Sequence, residues 1–304
     1  MRHVGAALWL LLALLLAGCG ASRTRASHGH GTYFPRGQVP AARDSAGGFR
    51  DDINRPQDSR YRDRSDSVPE GSPPDISKLA EPVPKPEPRS LYGNKSPYTV
   101  LARTYRVLPS ARGYDERGIA SFYGNKFHGY KTSSLENYDM YAFTAASKTL
   151  PLPSYARVTN LENGKSVIVR VNDRGPFHQN RVIDLSYVAA VKIGIWPKGT
   201  GLVEVRGIDP RQGPQELPPP AVVSAGHPGI YLQVGAFADA GNAERVAQRL
   251  RQAHFAPVQV IEAAVNGRRV SRVRVGPLTD VERADEVGAR IEDMGLPRPQ
   301  VAVD

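Results

Sequence analysis

A second cysteine is missing from this sequence. Cys19 stands alone, so no intrachain disulfide can form. A membrane-spanning run is missing as well. The apolar stretch Val4 to Ala17, "VGAALWLLLALLLA", is too short to cross a bilayer comfortably. Residues 20 to 96 are poor in apolar side chains and cannot bury enough surface to offset chain entropy. His28 and His30 in "SHGHG" have no third ligand beside them, so no metal site is assigned, and no cofactor is expected. Acidic residues are outnumbered, leaving a formal net charge of +10. Such a charge speaks to solubility and non-specific contacts, not to a partner.

What is present begins with the N-terminus. Arg2 and His3 followed by Val4–Ala17 form the n- and h-regions of a signal peptide, residues 1–18. The run ends in "LAGC", which resembles a bacterial lipobox. That resemblance implies lipid on Cys19 and an anchored, periplasm-facing protein. Position 20 is Gly rather than the Asp of inner-membrane retention, so the outer membrane is expected. An exported lipoprotein is kept away from nucleic acid, and none is expected as a partner.

With 304 residues there is room for two domains and linkers. Residues 19–96 read as a disordered tether, with "EPVPKPEP" favouring extended polyproline II. Residues 97–208 read as many short strands and one short helix, hence a small barrel. "YTVLARTYRV" and "GIASFYG" are strand-like, and "YARVTN" and "SVIVRV" flank "LENGK". Asn163-Gly164 predicts a type I′ hairpin turn there. Val167, Val169 and Val171 share one face. "RVIDLS" is a further strand, "SYVAAVKIGI" a short helix with Ser186 as N-cap, and "GLVEVRGI" the closing strand. A Pro-rich linker, 209–227, leads to 228–304.

That last region contains an internal repeat. "LQVGAF" maps onto "VRVGPL" at an offset of 41 residues. The same offset carries Ala243, Val246, Ala247 and Leu250 onto Ala284, Val287, Gly288 and Ile291, a buried helical stripe in each half. Two βαβ units in a ferredoxin-like arrangement follow, with both helices on one sheet face. Tyr231, Gln233, Arg272 and Arg274 are then expected on the open face.

The stretch "RVNDRGPF" poses the functional question. The run "SVIVRV" stops at Val171 and is followed by an amide, a carboxylate, a guanidinium, a glycine and a proline. By composition alone this is a turn. A turn stiffened by Gly and Pro behind a buried strand can also hold a carboxylate in a cleft with a raised pKa. The side chain of Arg174 would oppose that shift if it faced Asp173.

Two families become visible at this point. "GIASFYGNKFHGYKT", "YDMYAFTAASKTLPLPSYARVTNLENGKSVIVRVNDRGPF" and "RVIDLSYVAA" resemble rare lipoprotein A, a septal lytic transglycosylase. "YLQVGAF" through "RVRVGP" resembles a sporulation-related repeat (SPOR) domain. The resemblance implies a mixed multidomain chain: a six-stranded double-psi β-barrel followed by a small α+β ferredoxin-like SPOR domain. It implies cleavage of peptide-free glycan strands at the division septum, leaving 1,6-anhydro-N-acetylmuramic acid ends. Asp173 takes the position of the family's catalytic acid/base and Glu136 that of its second acidic residue. Ser147 stands in "TAASKTLP" where the family has His, and is a candidate auxiliary residue. Leu135 stands where the family has Gly. The SPOR resemblance makes Tyr231, Gln233, Arg272 and Arg274 glycan-binding. A non-catalytic peptidoglycan-binding lipoprotein is the alternative, carried by the loss of the His at position 147. Lone His128 reads as structural.

Overall fold

The computed structural model describes residue 51 and residues 55–178, 180–212, 229–265 and 267–303. The signal peptide, Cys19 and most of the Pro-rich linker lie outside the described residues. A short helix α1 (Gln57–Arg60) and a hairpin of β1 (Tyr98–Val100) and β2 (Arg103–Tyr105) precede the barrel. "YTVLARTYRV" is therefore two strands, because Leu101 and Ala102 between them both have positive φ.

The barrel strands are β3 (Asp115–Tyr123), β4 (Thr144–Ala146), β5 (Ser154–Asn160), β6 (Ser166–Asp173), β7 (Arg181–Ser186) and β8 (Thr200–Ile208). They close in the order β3-β7-β4-β6-β5-β8. The β3–β7 and β4–β6 pairs are parallel and the other four pairings antiparallel. Two-residue alternation builds the interior: Val167, Val169 and Val171 of β6 are all buried with Ala145, Ile183 and Leu185. Helix α2 (Tyr187–Ile193) follows β7 directly. Ser186 occupies its N-cap position but makes no side-chain cap bond.

The β5–β6 connection differs from the expected type I′ turn. It runs from Leu161 to Lys165, and of the Asn163-Gly164 pair only Gly164 has positive φ, at 72°. Tertiary partners hold the longer loop: Asn163 Nδ2 donates to Ile193 O at the end of α2, and Leu161 N to Leu202 O.

Residues 55–96, expected as part of a disordered tether, instead lie along the barrel. Asp66 accepts from the backbone N–H of Gly124 and Lys126. Glu81 accepts from Ile168 N and pairs with Lys192. Asn94 exchanges two hydrogen bonds with the backbone of Leu152. Val68, Ile76 and Leu79 pack on the barrel core. The segment is too polar to form a core of its own. Its carboxylates and amides satisfy barrel groups, and its few apolar residues borrow the barrel's core.

The second domain comprises β9 (Ile230–Phe237), α3 (Ala240–Gln252), β10 (Val258–Val265), β11 (Arg268–Leu278), α4 (Val281–Asp293) and β12 (Gln300–Val303). The sheet order β10-β11-β9-β12 is the one that the repeat predicts. Ala243, Ala247 and Leu250 of α3 and Ala284, Val287, Gly288 and Ile291 of α4 are buried. Asp239 and Asp280 cap the two helices by accepting from Asn242 N and Arg283 N. Barrel residues Ile119, Leu161 and Leu202 belong to the same buried cluster as Leu232 and Ile291. The two domains thus share an apolar seam.

Candidate active site

The site forms where β6 ends. Ala145 pairs with Val171, but Ala146 pairs with Asp173, so Asn172 is an extra residue in the ladder. Such a bulge turns the side chains that follow it. Asn172 is buried while Asp173 keeps part of its surface open. Gly175 continues the chain at φ 144°, and a Cβ built there would lie 3.7 Å from Asp184 Oδ2.

Asp173 is held from one side. Its Oδ1 accepts from Ser133 N, Ser133 Oγ and Arg174 N, each at 2.7 Å. Burial pushes the Asp173 pKa up, against these three bonds and the more distant charge of Arg60, and the net shift is upward. Because the three donors all meet Oδ1, a proton on this carboxyl belongs on Oδ2.

The side chain of Arg174 is turned away. Its guanidinium donates to Gly93 O, Ser147 O and Leu150 O. It therefore ties the turn to the loop after β4 and to the 93–94 segment, and does not sit on the Asp173 carboxylate.

Glu136 reaches the site through the loop that carries Ser133. Thr132 N donates to Glu136 O, and Leu135 N to Thr132 O, which makes the loop tight. Leu135 has φ 65°. A leucine thus adopts the left-handed backbone that a Gly would accept without strain. Glu136 Oε2 accepts from Arg170 Nη1 at 2.6 Å and from Asn172 Nδ2 at 2.9 Å. Arg170 in turn forms a bidentate pair with Glu87 of the 55–96 segment. Burial pushes Glu87 up, but Arg170 and Tyr155 outweigh it and its pKa ends lowered.

A further carboxylate escapes the sequence reading. Asp184 in β7 pairs with Ala146 from the side opposite Asp173. The two aspartates therefore flank one small residue, two strand spacings or roughly 9–10 Å apart along the sheet. Asp184 Oδ1 accepts from Ser121 Oγ at 2.5 Å. Burial pushes its pKa to about 6, helped by the Asp173 charge and opposed by Ser121, Arg181 and Lys148. In "RVIDLS" it reads as an ordinary polar position of a strand, and no sequence pattern marks it.

Ser147 is buried, 1% exposed, and its Oγ accepts from Thr149 N and Leu150 N. It shapes the loop after β4 and offers no surface to a substrate in this conformation. Lone His128 accepts from Met140 N through Nδ1, a local structural bond.

On the second domain, Arg274 pairs with Gln233 across β11 and β9, and its guanidinium lies 5.8 Å from the Tyr231 ring centre. Tyr231, Gln233 and Arg272 are half-buried on the face away from the helices. Arg274 departs from the expected open position: it is 9% exposed, because the barrel approaches there.

Comparison with known proteins agrees with this architecture. Residues 115–206 match the family described as lytic transglycolase, and residues 226–301 match the SPOR domain family. The chain is 41% identical over 280 residues to the endolytic peptidoglycan transglycosylase RlpA of Pseudomonas aeruginosa (strain UCBPP-PA14), covering 73% of this chain and 81% of that one. It is 40% identical over 236 residues to the protein of the same name from Vibrio cholerae, covering 78% and 86%. A Neisseria meningitidis serogroup B protein of that name is 41% identical over 216 residues, covering 71% and 87%. With a lytic transglycolase barrel, a SPOR domain and relatives matched over most of their length, the chain belongs to the RlpA family of endolytic peptidoglycan transglycosylases.

Proposed function

We propose that this chain is a lytic transglycosylase that cuts peptide-free glycan strands of peptidoglycan within the strand. The observation that carries the reading is Asp173: a partly open carboxyl at the end of β6, with Oδ1 saturated by donors and a pKa raised by burial. An acid of this kind protonates the glycosidic oxygen, and the C1–O bond breaks. The 6-hydroxyl of the same muramic acid then attacks C1, and its proton returns to Asp173. No water is consumed, and the acid is restored as the 1,6-anhydro ring closes.

Glu136 supports the positive charge that develops at C1. Arg170 and Asn172 fix its Oε2, which leaves Oε1 to face the sugar. Asp184 lies across Ala146 from Asp173, and the negative charge of Asp173 helps hold the Asp184 carboxyl protonated.

The chain works at the outer membrane, anchored by lipid on Cys19 of "LAGC", and its SPOR domain gathers it at the septum. Peptide-free strands incubated with the protein release anhydro-ended fragments, read by mass spectrometry. Asp173→Asn abolishes them. Equal release by the parent and Asp173→Asn would remove the assigned mechanism, and no release by either would leave a binding protein.

A further inference from the structure

A cleft of about 800 Å³ opens between the barrel and the SPOR domain, away from Asp173 and Glu136. Its volume is within the ~300–1,000 Å³ of ordinary ligand sites. The barrel contributes Arg103, Lys148, Asn180 and Arg181, and the SPOR domain Arg274 and the strand from Arg298 to Val303. The whole lining carries six cations against two carboxylates, Asp115 and Glu116. Arg117 pairs with Glu204, Arg181 with Asp285 and Arg298 with Glu292.

Two donors in this lining stand out. Arg181 is 8% exposed, and while its Nη2 pairs with Asp285, its Nη1 is buried with no acceptor among the described residues. Asn180 Nδ2 is in the same condition. Buried donors without acceptors are rare and costly, and a neighbouring pair of them marks the place of a missing acceptor. Lys148 points the same way. Its Nζ donates to Arg181 O at 2.6 Å, and burial pulls its pKa down. An arriving anion would offset that penalty.

We propose that this cleft binds a lactyl carboxylate of a glycan strand, with Asn180, Arg181 and Lys148 of the barrel as donors opposite Arg274. The inference rests on the reading that the chain acts on peptidoglycan glycan, and it adds a barrel-built subsite to the SPOR face. A free lactyl group is a single carboxylate on the sugar, suited to Arg and Lys donors at short range. Stem peptides convert it to an amide and remove the charge. The subsite therefore accepts peptide-free strands and rejects peptide-bearing ones. It also couples to the reaction centre, because Lys148 and Arg181 are the cations that oppose the raised pKa of Asp184. Seating a carboxylate between them weakens that opposition.

The test uses the full chain carrying Asp173→Asn, so that strands bind without being cut. Three ligands are titrated: peptide-free strands, peptide-bearing strands, and chitooligosaccharides, which lack lactyl groups. Arg103→Glu at the exposed hairpin and Lys148→Met in the wall are compared with the parent, with thermal melts to establish folding. Each substitution is expected to weaken binding of peptide-free strands about tenfold or more. Binding of chitooligosaccharides is expected to stay unchanged, and Lys148→Arg to restore binding. Unchanged affinity in a folded Arg103→Glu protein, or an equal loss for chitooligosaccharides, overturns the proposal. If the chain with Asp173 intact releases no anhydro ends yet the charge variants bind peptide-free strands selectively less, the subsite stands and the enzymatic reading falls. If the chain with Asp173 intact cuts and the charge variants bind like the Asp173→Asn parent, the subsite alone falls.

Discussion

Ser133 donates twice to one oxygen of Asp173, through its backbone N–H and its hydroxyl, both at 2.7 Å. The loop that carries Ser133 also carries Glu136, so one short connection sets the ionisation of the acid and the place of its supporting carboxylate.

Ser133→Ala removes the hydroxyl and keeps the backbone donor. Hydrogen bonds to a carboxylate favour the charged form, so losing one raises the Asp173 pKa. The alkaline limb of the pH–rate profile for anhydro-end release is expected to move upward. A profile that stays in place would mean that the hydroxyl does not bear on the reacting proton.

Asp173→Asn is expected to reduce turnover by ~10²–10⁴-fold or more, as loss of an acid/base group does. Glu136→Gln keeps its bond to Asn172 but weakens the one to Arg170, and is expected to cost less. Single-turnover rates on peptide-free strands separate the two. A Glu136→Gln loss equal to that of Asp173→Asn would reverse the assignment of roles.

Asp184 makes stability depend on pH with a definite sign. Its folded pKa, about 6, is above the ordinary 3.8, so the folded state binds its proton more tightly than the unfolded one. Its contribution is therefore favourable at low pH and is lost as pH rises from about 4 through 6. Asp184→Asn carries no charge and can still accept from Ser121. The variant is expected to melt above the parent at pH 7 and to match it more closely near pH 4. A melting difference that grows on acidification would contradict the burial argument.

Leu135 at φ 65° stores ~1–2 kcal/mol of backbone strain. Leu135→Gly is expected to stabilise the folded chain by up to ~1 kcal/mol, once lost side-chain contacts and the entropy of Gly are deducted. Leu135→Val, which is β-branched, is expected to destabilise it. Urea denaturation midpoints of the two variants decide the matter.

Ser147→Ala tests whether the residue at the family's His position is structural. Its hydroxyl serves two backbone N–H groups in a buried turn. A loss of ~1 kcal/mol in stability with little change in turnover is expected. A large fall in turnover with unchanged stability would return Ser147 to the reaction.

The sequence carried the barrel strands and the βαβ repeat well, because alternation in "SVIVRV" and the helical stripes at Ala243 and Ala284 are local patterns. Asp173 is singled out by the family resemblance alone, since by composition the Gly-Pro stretch behind the buried strand reads as a turn. Asp184 was illegible. Its importance comes from sharing Ala146 with Asp173, a relation between three strands. The packing of 55–96 was illegible because the acceptors there, such as Asp66 and Glu81, satisfy donors far along the chain.

That packed segment bears on the lipid anchoring proposed at Cys19. Were the chain loose from Cys19 to Pro97, a fully stretched leash would span up to about 280 Å. Asp51 is already fastened to Arg60 and to the N–H of Lys131, so a lipid on Cys19 would be at most about 115 Å of chain length from the first fixed point. For a chain anchored in that way, the reach of the barrel would be cut by more than half. Releasing the whole segment, Asp51 together with Glu87, would lengthen that leash, and loss of the Glu87–Arg170 pair would loosen the residue that holds Glu136. Reach and reactivity are thus traded against each other by one strip of polypeptide.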